Sequence, residues 1–318
     1  MQIDSHVHML LGISTEEELS VLSRIIASPS NFYRKFKIPK KSGGTRTISS
    51  PYPSLAIIQS NILNNLFFPF EANSSASAYA YVKGKSAIDH ARIHVNGSEL
   101  LKLDIKNFFP SISRQMVFEA LQRNGAKADV CFYTSLICIL DNGLPQGACT
   151  SPALSNLVFS PIDVRLTGLA NFFGLKYSRY ADDLAFSGEF IPRDLASLVG
   201  EILLEYDFHL NHKKTQLKLA GRKKIVTGVS ISSGQVRAPK SFKRKLRAQI
   251  YELEKNIGSL ARLPDFDPLI YERLIGRINY LLQIEPENNY AKVKKAYLSK
   301  CHQDFLGLVD EQIISAFV

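Results

Sequence analysis

The spacing of apolar residues predicts two helices and a hairpin near the amino terminus. Ser14, which is followed by acidic residues, has the cap and the first-turn charges of a helix start. Between residues 31 and 52, two extended runs surround a basic, glycine-containing turn, which predicts a β-hairpin. Four apolar residues then recur at helical spacing: Leu55, Ile58, Ile62 and Leu66. A second helix is expected there.

Two segments in the middle of the chain alternate between apolar and polar residues, as half-buried strands do. From Glu99 to Ile105, apolar residues occupy one face, and Asp104 lies at the end of the other. The alternation resumes from Tyr177 to Ser187, but Asp182 and Asp183 interrupt it. This second pattern predicts a hairpin with two acids at its turn.

After Pro239 the apolar period becomes helical. The apolar stripe consists of Leu246, Ile250, Leu253, Ile257 and Leu260. Basic residues crowd its beginning, namely Lys240, Lys243, Arg244, Lys245 and Arg247. We therefore expect a basic, helical subdomain from about residue 238 to the end of the sequence.

The amino-acid composition indicates a globular protein that binds nucleic acid. With 318 residues, 45% of them hydrophobic, the chain can bury a core of two or three subdomains. Its net charge of +10 is typical of proteins that neutralise nucleic-acid phosphates. The four cysteines lack zinc-ligand spacing and are expected to be free thiols in a reducing compartment. No apolar stretch is long enough for a membrane helix, so we expect a cytoplasmic protein with no membrane partner.

The acids that interrupt the second strand pattern indicate metal chemistry. Two adjacent ionised carboxylates repel each other unless a cation lies between them. A solvated turn is the alternative for an isolated Asp-Asp pair. Here the apolar pattern around Asp182 and Asp183, and the further oxygen ligand offered by Asp104, favour a magnesium site.

Three blocks of sequence, in order, resemble the reverse transcriptase family. Residues 180–183, Tyr-Ala-Asp-Asp, resemble its palm signature. Residues 103–112 resemble its first catalytic block, and residues 143–147 with Asn156 resemble its template-gripping block. The resemblance extends over roughly residues 33–235 and implies RNA-directed DNA synthesis with deoxynucleoside triphosphates as substrates.

The resemblance also implies the catalytic roles. Asp104 and Asp182 would bridge two Mg²⁺ ions, with Mn²⁺ as a substitute. Asp183 and the backbone carbonyl of Ile105 would complete the metal shell. One ion would acidify the primer hydroxyl, and the other would stabilise the departing pyrophosphate.

By the same resemblance, several residues would hold the incoming nucleotide. Phe109 would lie under the sugar and exclude a ribose 2'-hydroxyl, whereas Phe108 is expected in the core. Three basic residues would clasp the triphosphate: Lys40, Lys41 and Arg46. The guanidinium of Arg46 is the strongest candidate because it can bind two phosphate oxygens.

The template-gripping block and one further block would contact the template and the leaving group. Gln146 would touch the templating pair, and Gly147 would let the backbone approach the template. Residues 211–215 resemble the block whose lysine lies near the pyrophosphate, so Lys214 is assigned as a general acid. The sequence leaves open whether Lys213 holds that place instead, or whether the segment is only a solvated basic loop.

Two segments resemble the bacterial retron branch of the family. These are residues 226–228, Val-Thr-Gly, and residues 91–94, which end at His94. The second segment departs from the retron pattern because His90 stands where that pattern has asparagine. Retron membership would imply binding of the protein's own structured noncoding RNA, priming from a guanosine 2'-hydroxyl, and a short branched DNA product (msDNA). It would also imply anti-phage defence with an associated effector protein.

The resemblance implies an α+β, right-hand polymerase with a ferredoxin-like palm. The expected parts are an amino-terminal helical extension (1–32), fingers (33–98), a palm (99–237) with a fingers insertion at about 111–142, and a helical thumb (238–318). The basic residues at the start of the thumb suit recognition of RNA through its shape and phosphates.

Three alternatives remain open at this point. His6 and His8 have the His-x-His spacing that opens metal-dependent hydrolase barrels, where two histidines share a strand face. A non-catalytic RNA-binding protein on a polymerase palm is a second alternative, although it predicts loss of the three acids. Other minimal bacterial reverse transcriptases, of the abortive-infection or diversity-generating type, are the closest rivals.

Overall fold

The computed structural model describes residues 5–40, 43–67, 75–256, 267 and 269–317. They belong to two compact units, residues 1–221 and residues 222–318. Within the described ranges, none of the helices is both long and apolar enough to cross a bilayer.

The first unit opens with helices and one β-hairpin. In chain order these are α1 (Ser5–Leu11), α2 (Glu16–Ala27), β1 (Tyr33–Pro39), β2 (Thr45–Pro51) and α3 (Pro53–Ile62). Thr15 caps α2, and its hydroxyl accepts a hydrogen bond from the backbone N–H of Glu18. The predicted hairpin and both predicted helices are therefore confirmed.

The rest of the first unit surrounds a four-stranded sheet. Its helices are α4 (Ala87–Ile93), α5 (Phe108–Ser111), α6 (Arg114–Arg123), α7 (Ala128–Cys138), α8 (Ser151–Phe172) and α9 (Leu195–Leu204). Its strands are β3 (Glu99–Asp104), β4 (Lys176–Tyr180), β5 (Asp183–Gly188) and β6 (Gln216–Lys218). They pair antiparallel in the order β4-β5-β3-β6, which confirms the predicted strand and hairpin and the α+β class.

A cluster of aromatic rings packs in the core of this unit. The ring of Phe108 lies 5.7 Å from that of Phe159 and 6.0 Å from that of Phe208, centroid to centroid. The prediction that Phe108 belongs to the core is confirmed. Phe108 and Phe109 both begin the short helix α5, so the geometry of a helix and not the alternation of a strand separates their side chains.

The second unit combines a small hairpin with helices. Its elements are β7 (Ile225–Val226), β8 (Val229–Ser230), α10 (Lys240–Asn256), α11 (Ile270–Ile284) and α12 (Asn289–Phe317). Leu246, Ile250 and Leu253 of the predicted stripe are buried, while Ile257 and Leu260 lie outside the described residues. The unit begins at Arg222 and so includes the hairpin at 225–230. The predicted boundaries of fingers, palm and thumb stay predictions.

Candidate active site

The three predicted catalytic acids meet at one end of the four-stranded sheet. Asp104 ends β3 and stands opposite Asp183 in the strand register. The backbone N–H of Ile105 donates a hydrogen bond to the carbonyl of Asp182 at 2.9 Å. Only Asp182 lies in the turn of the β4–β5 hairpin, because Asp183 is already the first residue of β5. The sheet thus places three carboxylates around one point.

The turn that carries Asp182 has a strained backbone. Ala181 has a φ of +56°, in the left-handed region that side chains other than glycine rarely adopt. Arg179 donates a hydrogen bond from Nη1 to the carbonyl oxygen of Ala181 at 3.3 Å. A non-glycine residue in this region costs roughly 1–2 kcal/mol. Such strain persists where surrounding structure holds the backbone, often at functional sites.

Two of these three carboxylates are disfavoured in their ionised forms. Burial raises the pKa of Asp182, and the charge of Asp104 raises it further. Burial, together with the charge of Asp182, raises the pKa of Asp183 to about 6. Both side chains therefore favour a nearby cation, because a cation would allow both to stay ionised.

Asn211 and Lys214 engage the third carboxylate, that of Asp104. Asn211 Nδ2 donates to Oδ1 at 3.1 Å, and Lys214 Nζ donates to Oδ2 at 2.7 Å. The hydrogen bond to Asp104 raises the pKa of Lys214. Lys213 is exposed. The structure therefore brings Lys214 to Asp104. The sequence alone did not distinguish Lys214 from Lys213.

The donor atoms at this point fit a hard divalent cation. Carboxylate and carbonyl oxygens are the ligands that Mg²⁺ prefers. In the described part of the chain, no group of three or more His, Cys, Asp or Glu side chains is arranged so that it could hold a metal ion. Both oxygens of Asp104 instead accept hydrogen bonds, from Asn211 and Lys214.

The segment 143–147 packs against two neighbouring parts of the chain. Leu144 N–H donates to the carbonyl of Phe109 at 3.0 Å, which ties the segment to α5. A Cβ at Gly143 would lie 2.4 Å from the carbonyl oxygen of Pro110. A Cβ at Gly147, whose φ is +130°, would lie 2.8 Å from the carbonyl oxygen of Ser49. Both glycines are therefore required by contacts within the protein itself.

Gln146 belongs to this segment, and Phe109 is tied to it through Leu144. The carbonyl of Gln146 accepts a hydrogen bond from Ser49 N–H at 2.8 Å. Its side-chain Oε1 is buried and has no hydrogen-bond partner among the described residues. Phe109 is half-buried, whereas Phe108 is fully in the core. The buried amide oxygen of Gln146 is thus unsatisfied, and part of the Phe109 side chain stays exposed.

The basic residues of the β1–β2 hairpin are exposed. Lys40 N–H donates to the carbonyl of Gly44 at 3.0 Å and closes the turn. The charge of Arg46 opposes the rise in the pKa of Asp182 that burial and Asp104 cause, so Arg46 acts electrostatically on the acids. Lys41 lies outside the described residues.

A buried polar cluster next to the β4–β5 hairpin was not predicted from the sequence. Arg179 and Asp163 are both 0% exposed and form an ion pair, with Nη2 2.8 Å from Oδ2. Tyr177 donates its hydroxyl hydrogen to Asp163 Oδ1 at 2.7 Å, and Arg179 Nη1 donates to Asn156 Oδ1 at 3.1 Å. One feature of the sequence could have indicated this cluster. Asp163 lies between Phe159 and Leu166 on the apolar face of α8, where a buried acid needs a partner.

His94, from the retron-like segment, is buried and bridges strands β4 and β5 through side-chain hydrogen bonds. Its Nδ1 lies 2.7 Å from Ser187 Oγ on β5, and its Nε2 lies 2.7 Å from Ser178 Oγ on β4. Burial lowers the pKa of His94 to about 3 and that of His90 to about 4. Both imidazoles are therefore neutral at physiological pH and belong to the packing of the sheet.

In the second unit, the basic residues at the start of α10 differ in their surroundings. Four of them are exposed: Lys240, Arg244, Lys245 and Arg247. The guanidinium of Arg247 also lies over the ring of Tyr290, 4.8 Å from its centroid. Lys243 instead forms an ion pair with the buried Glu285 at 2.9 Å, so it contributes to the packing of α10.

The His-x-His pair at the amino terminus lies on a helix. His6 and His8 both belong to α1, contrary to the strand that the hydrolase hypothesis requires. Positions i and i+2 of a helix do not share a face. The hydrolase hypothesis is therefore wrong in its structural premise.

Comparisons with known proteins agree with this geometry. A family model described as reverse transcriptase (RNA-dependent DNA polymerase) matches residues 38–247. Retron Ec86 reverse transcriptase of Escherichia coli is 29% identical over 293 residues, which cover 88% of this chain and 91% of the relative. Retron Ec83 reverse transcriptase of the same organism is 30% identical, covering 81% and 85%. Retron Mx162 reverse transcriptase of Myxococcus xanthus is 30% identical, covering 70% of this chain but 53% of the relative.

Proposed function

Because this chain belongs to the reverse transcriptase family and is a retron-type RNA-directed DNA polymerase, we propose that it makes a short DNA on its own structured noncoding RNA. Synthesis starts from a guanosine 2'-hydroxyl of that RNA, so that the product is branched RNA–DNA. The observation that carries the proposal is the convergence of Asp104, Asp182 and Asp183 at the end of the sheet. Similarity to retron enzymes over most of the chain supports the retron type.

The acids bind the metal ions that the reaction requires. Asp104, Asp182 and Asp183, with the carbonyl of Ile105, hold two Mg²⁺ ions, or Mn²⁺ as a substitute, whose chemistry is to acidify the primer hydroxyl and neutralise charge on pyrophosphate. The raised pKa values of Asp182 and Asp183 support this role, because they reflect the burial of these carboxylates next to other negative charges.

The remaining residues orient the nucleotide. Arg46 and Lys40 bind the triphosphate from the exposed hairpin, together with Lys41. Phe109 lies beneath the sugar and excludes a 2'-hydroxyl. The unpartnered amide oxygen of Gln146 accepts a hydrogen bond from the nucleotide at the templating pair.

Lys214 acts on the leaving group. Its ammonium already lies at the catalytic acids, 2.7 Å from Asp104 Oδ2, and is half-exposed. It can therefore leave the carboxylate and donate a proton to pyrophosphate as the phosphodiester bond forms. Lys213 lacks this contact with the acids.

The second unit binds the RNA. Lys240, Arg244, Lys245 and Arg247 are exposed on one helix and suit the phosphates of an RNA duplex. Lys243 supports that helix through Glu285. In line with the retron type, we place the protein in the cytoplasm and in anti-phage defence, acting with an effector protein.

The proposal is tested by expressing the gene with its native flanking DNA and extracting the nucleic acid that copurifies with the protein. We expect short DNA that stays joined to RNA until ribonuclease or debranching treatment. This DNA should be absent with the double variant Asp182→Ala and Asp183→Ala, and present with the control Asp207→Asn, which changes an exposed acid. If wild-type protein extends a DNA primer on an RNA template but yields no branched DNA, the polymerase assignment stands and the retron product is excluded. An abortive-infection or diversity-generating enzyme would then be favoured.

A further inference from the structure

Tyr81 lies beside the candidate active site, although none of the three family-like blocks contains it. Its ring centroid is 6.2 Å from that of Phe109, with 51° between the ring planes. Its side chain is 51% exposed. Part of this ring is therefore free to contact a ligand beside Phe109.

The charges around Tyr81 show which part of the site it faces. Burial raises the pKa of its hydroxyl, and the charge of Asp182 raises it further. The charge of Arg46 acts in the opposite direction. Tyr81 therefore lies within electrostatic range of both a catalytic acid and a triphosphate-binding candidate, and its ring contacts the sugar-gate candidate.

The backbone holds Tyr81 in an unfavourable conformation. Its φ of +62° is in the left-handed region, where a bulky residue is an outlier. The segment before it is fixed: Asn156 Nδ2 donates to the carbonyl of Ala80 at 2.9 Å, and Tyr79 N–H donates to the carbonyl of Arg179 at 2.8 Å. Glycine would adopt this φ without strain, so the structure keeps a tyrosine where folding favours glycine.

We propose that Tyr81 is a specificity-determining residue whose ring, together with that of Phe109, forms the aromatic wall around the deoxyribose of the incoming nucleotide. The inference rests on the polymerase function proposed above. The ring supplies the contact, since flat aromatic faces pack well on a sugar and lose little conformational freedom. Because the ring alone makes this contact, the hydroxyl is dispensable.

Steady-state extension of a DNA primer on an RNA template tests the proposal. The variants are Tyr81→Ala and Tyr81→Phe, and the control is Phe172→Ala, which removes another exposed ring (82% exposed). We expect Tyr81→Ala to raise KM for the deoxynucleotide about tenfold while kcat changes less, because it removes binding common to ground and transition state. Its preference for deoxynucleotides over ribonucleotides should also fall about tenfold. Tyr81→Phe and Phe172→Ala should match wild type.

A further variant separates binding from folding. Tyr81→Gly removes the ring and relieves the strain, so it should melt no lower than wild type yet show the same raised KM as Tyr81→Ala. A purely structural role for Tyr81 predicts the reverse, a lower melting temperature with an unchanged KM.

The rise in melting temperature on adding a deoxynucleoside triphosphate with Mg²⁺ is measured in parallel and requires no turnover. We expect a smaller rise for Tyr81→Ala than for Phe172→Ala. An unchanged KM and an unchanged rise in Tyr81→Ala would overturn the proposal, as would a loss in Tyr81→Phe equal to that in Tyr81→Ala. If wild-type protein does not extend the primer, the polymerase assignment fails, and the melting comparison alone decides the role of Tyr81.

Discussion

Two charged clusters involve the β4–β5 hairpin, and they differ in how well their charges are balanced. In one cluster, Arg179 and Asp163 are fully buried, and the carboxylate of Asp163 accepts hydrogen bonds from both Arg179 and Tyr177. At the tip, three carboxylates lie together, and Lys214 pairs with Asp104 while Arg46 and Lys102 act on the other two only through their charge.

This difference in charge balance indicates that the Arg179–Asp163 cluster stabilises the fold, whereas the cluster of acids binds a ligand. Burial opposes the charge of Arg179, but Asp163 outweighs that effect and raises the pKa of the guanidinium. At the tip, burial and neighbouring acids raise the pKa values of Asp182 and Asp183, so their ionised forms are disfavoured. A buried pair of opposite charge stabilises its surroundings only while both partners are present, whereas an excess of one charge indicates a site that binds a counter-ion.

The largest effect is expected from Asp182→Asn. DNA synthesis should fall by at least about 10⁴-fold, about 5.5 kcal/mol of transition-state stabilisation, because metal binding is lost. The melting temperature at pH 8 should not fall, because the variant removes a negative charge that the folded state disfavours. Primer extension and thermal melting measure the two effects, with Asp207→Asn as the matched control. A clearly lower melting temperature would mean that Asp182 stabilises the fold, as the Arg179–Asp163 pair does.

Arg179→Met, unlike Asp182→Asn, is expected to destabilise the fold. The variant leaves Asp163 buried and charged without a partner, and it should lower the free energy of unfolding by roughly 3–5 kcal/mol. Urea unfolding measures this change. Adding Asp163→Leu to the same protein should restore much of the loss, since the double variant buries no charge. If the double variant were as unstable as the single one, charge balance would not explain the cluster.

The sequence predicted the features that depend on local order. The strand ending at Asp104 and the hairpin around Asp182 follow from alternation over a few residues, and the structure confirms both. The fold class is confirmed as well, since the α+β sheet and the reverse transcriptase family model agree on a right-hand polymerase.

The features that the sequence missed depend on contacts between distant segments. Arg179 and Asp163 meet only because β4 packs on α8, and neither residue shows this in its own local pattern. The sequence could not choose between Lys213 and Lys214, because the short helical turn at 212–214 decides which lysine faces Asp104. The pairing of Tyr81 with Phe109 likewise joins segments that are far apart in the chain.

An intermediate effect is expected from Lys214→Gln. Loss of the proton donor should lower kcat about 10²-fold, which is the low end of general acid catalysis and corresponds to about 2.7 kcal/mol. Lys213→Gln is the control, because it removes the neighbouring exposed charge and keeps the contact with Asp104. Single-turnover extension distinguishes the two variants. Equal losses would show that only the positive charge of the loop matters.

The smallest effect is expected from adding Mg²⁺ to the protein without substrate. A cation that binds the folded state alone, at tenfold excess over its dissociation constant, should stabilise it by about 1.4 kcal/mol. The shift should disappear in Asp182→Asn and should not be reproduced by sodium chloride of equal ionic strength. It should increase in Lys214→Gln, because no ammonium then competes for Asp104. If Mg²⁺ stabilised Asp182→Asn as much as wild type, the ion would bind elsewhere. Asp104, Asp182 and Asp183 would then not be the metal site.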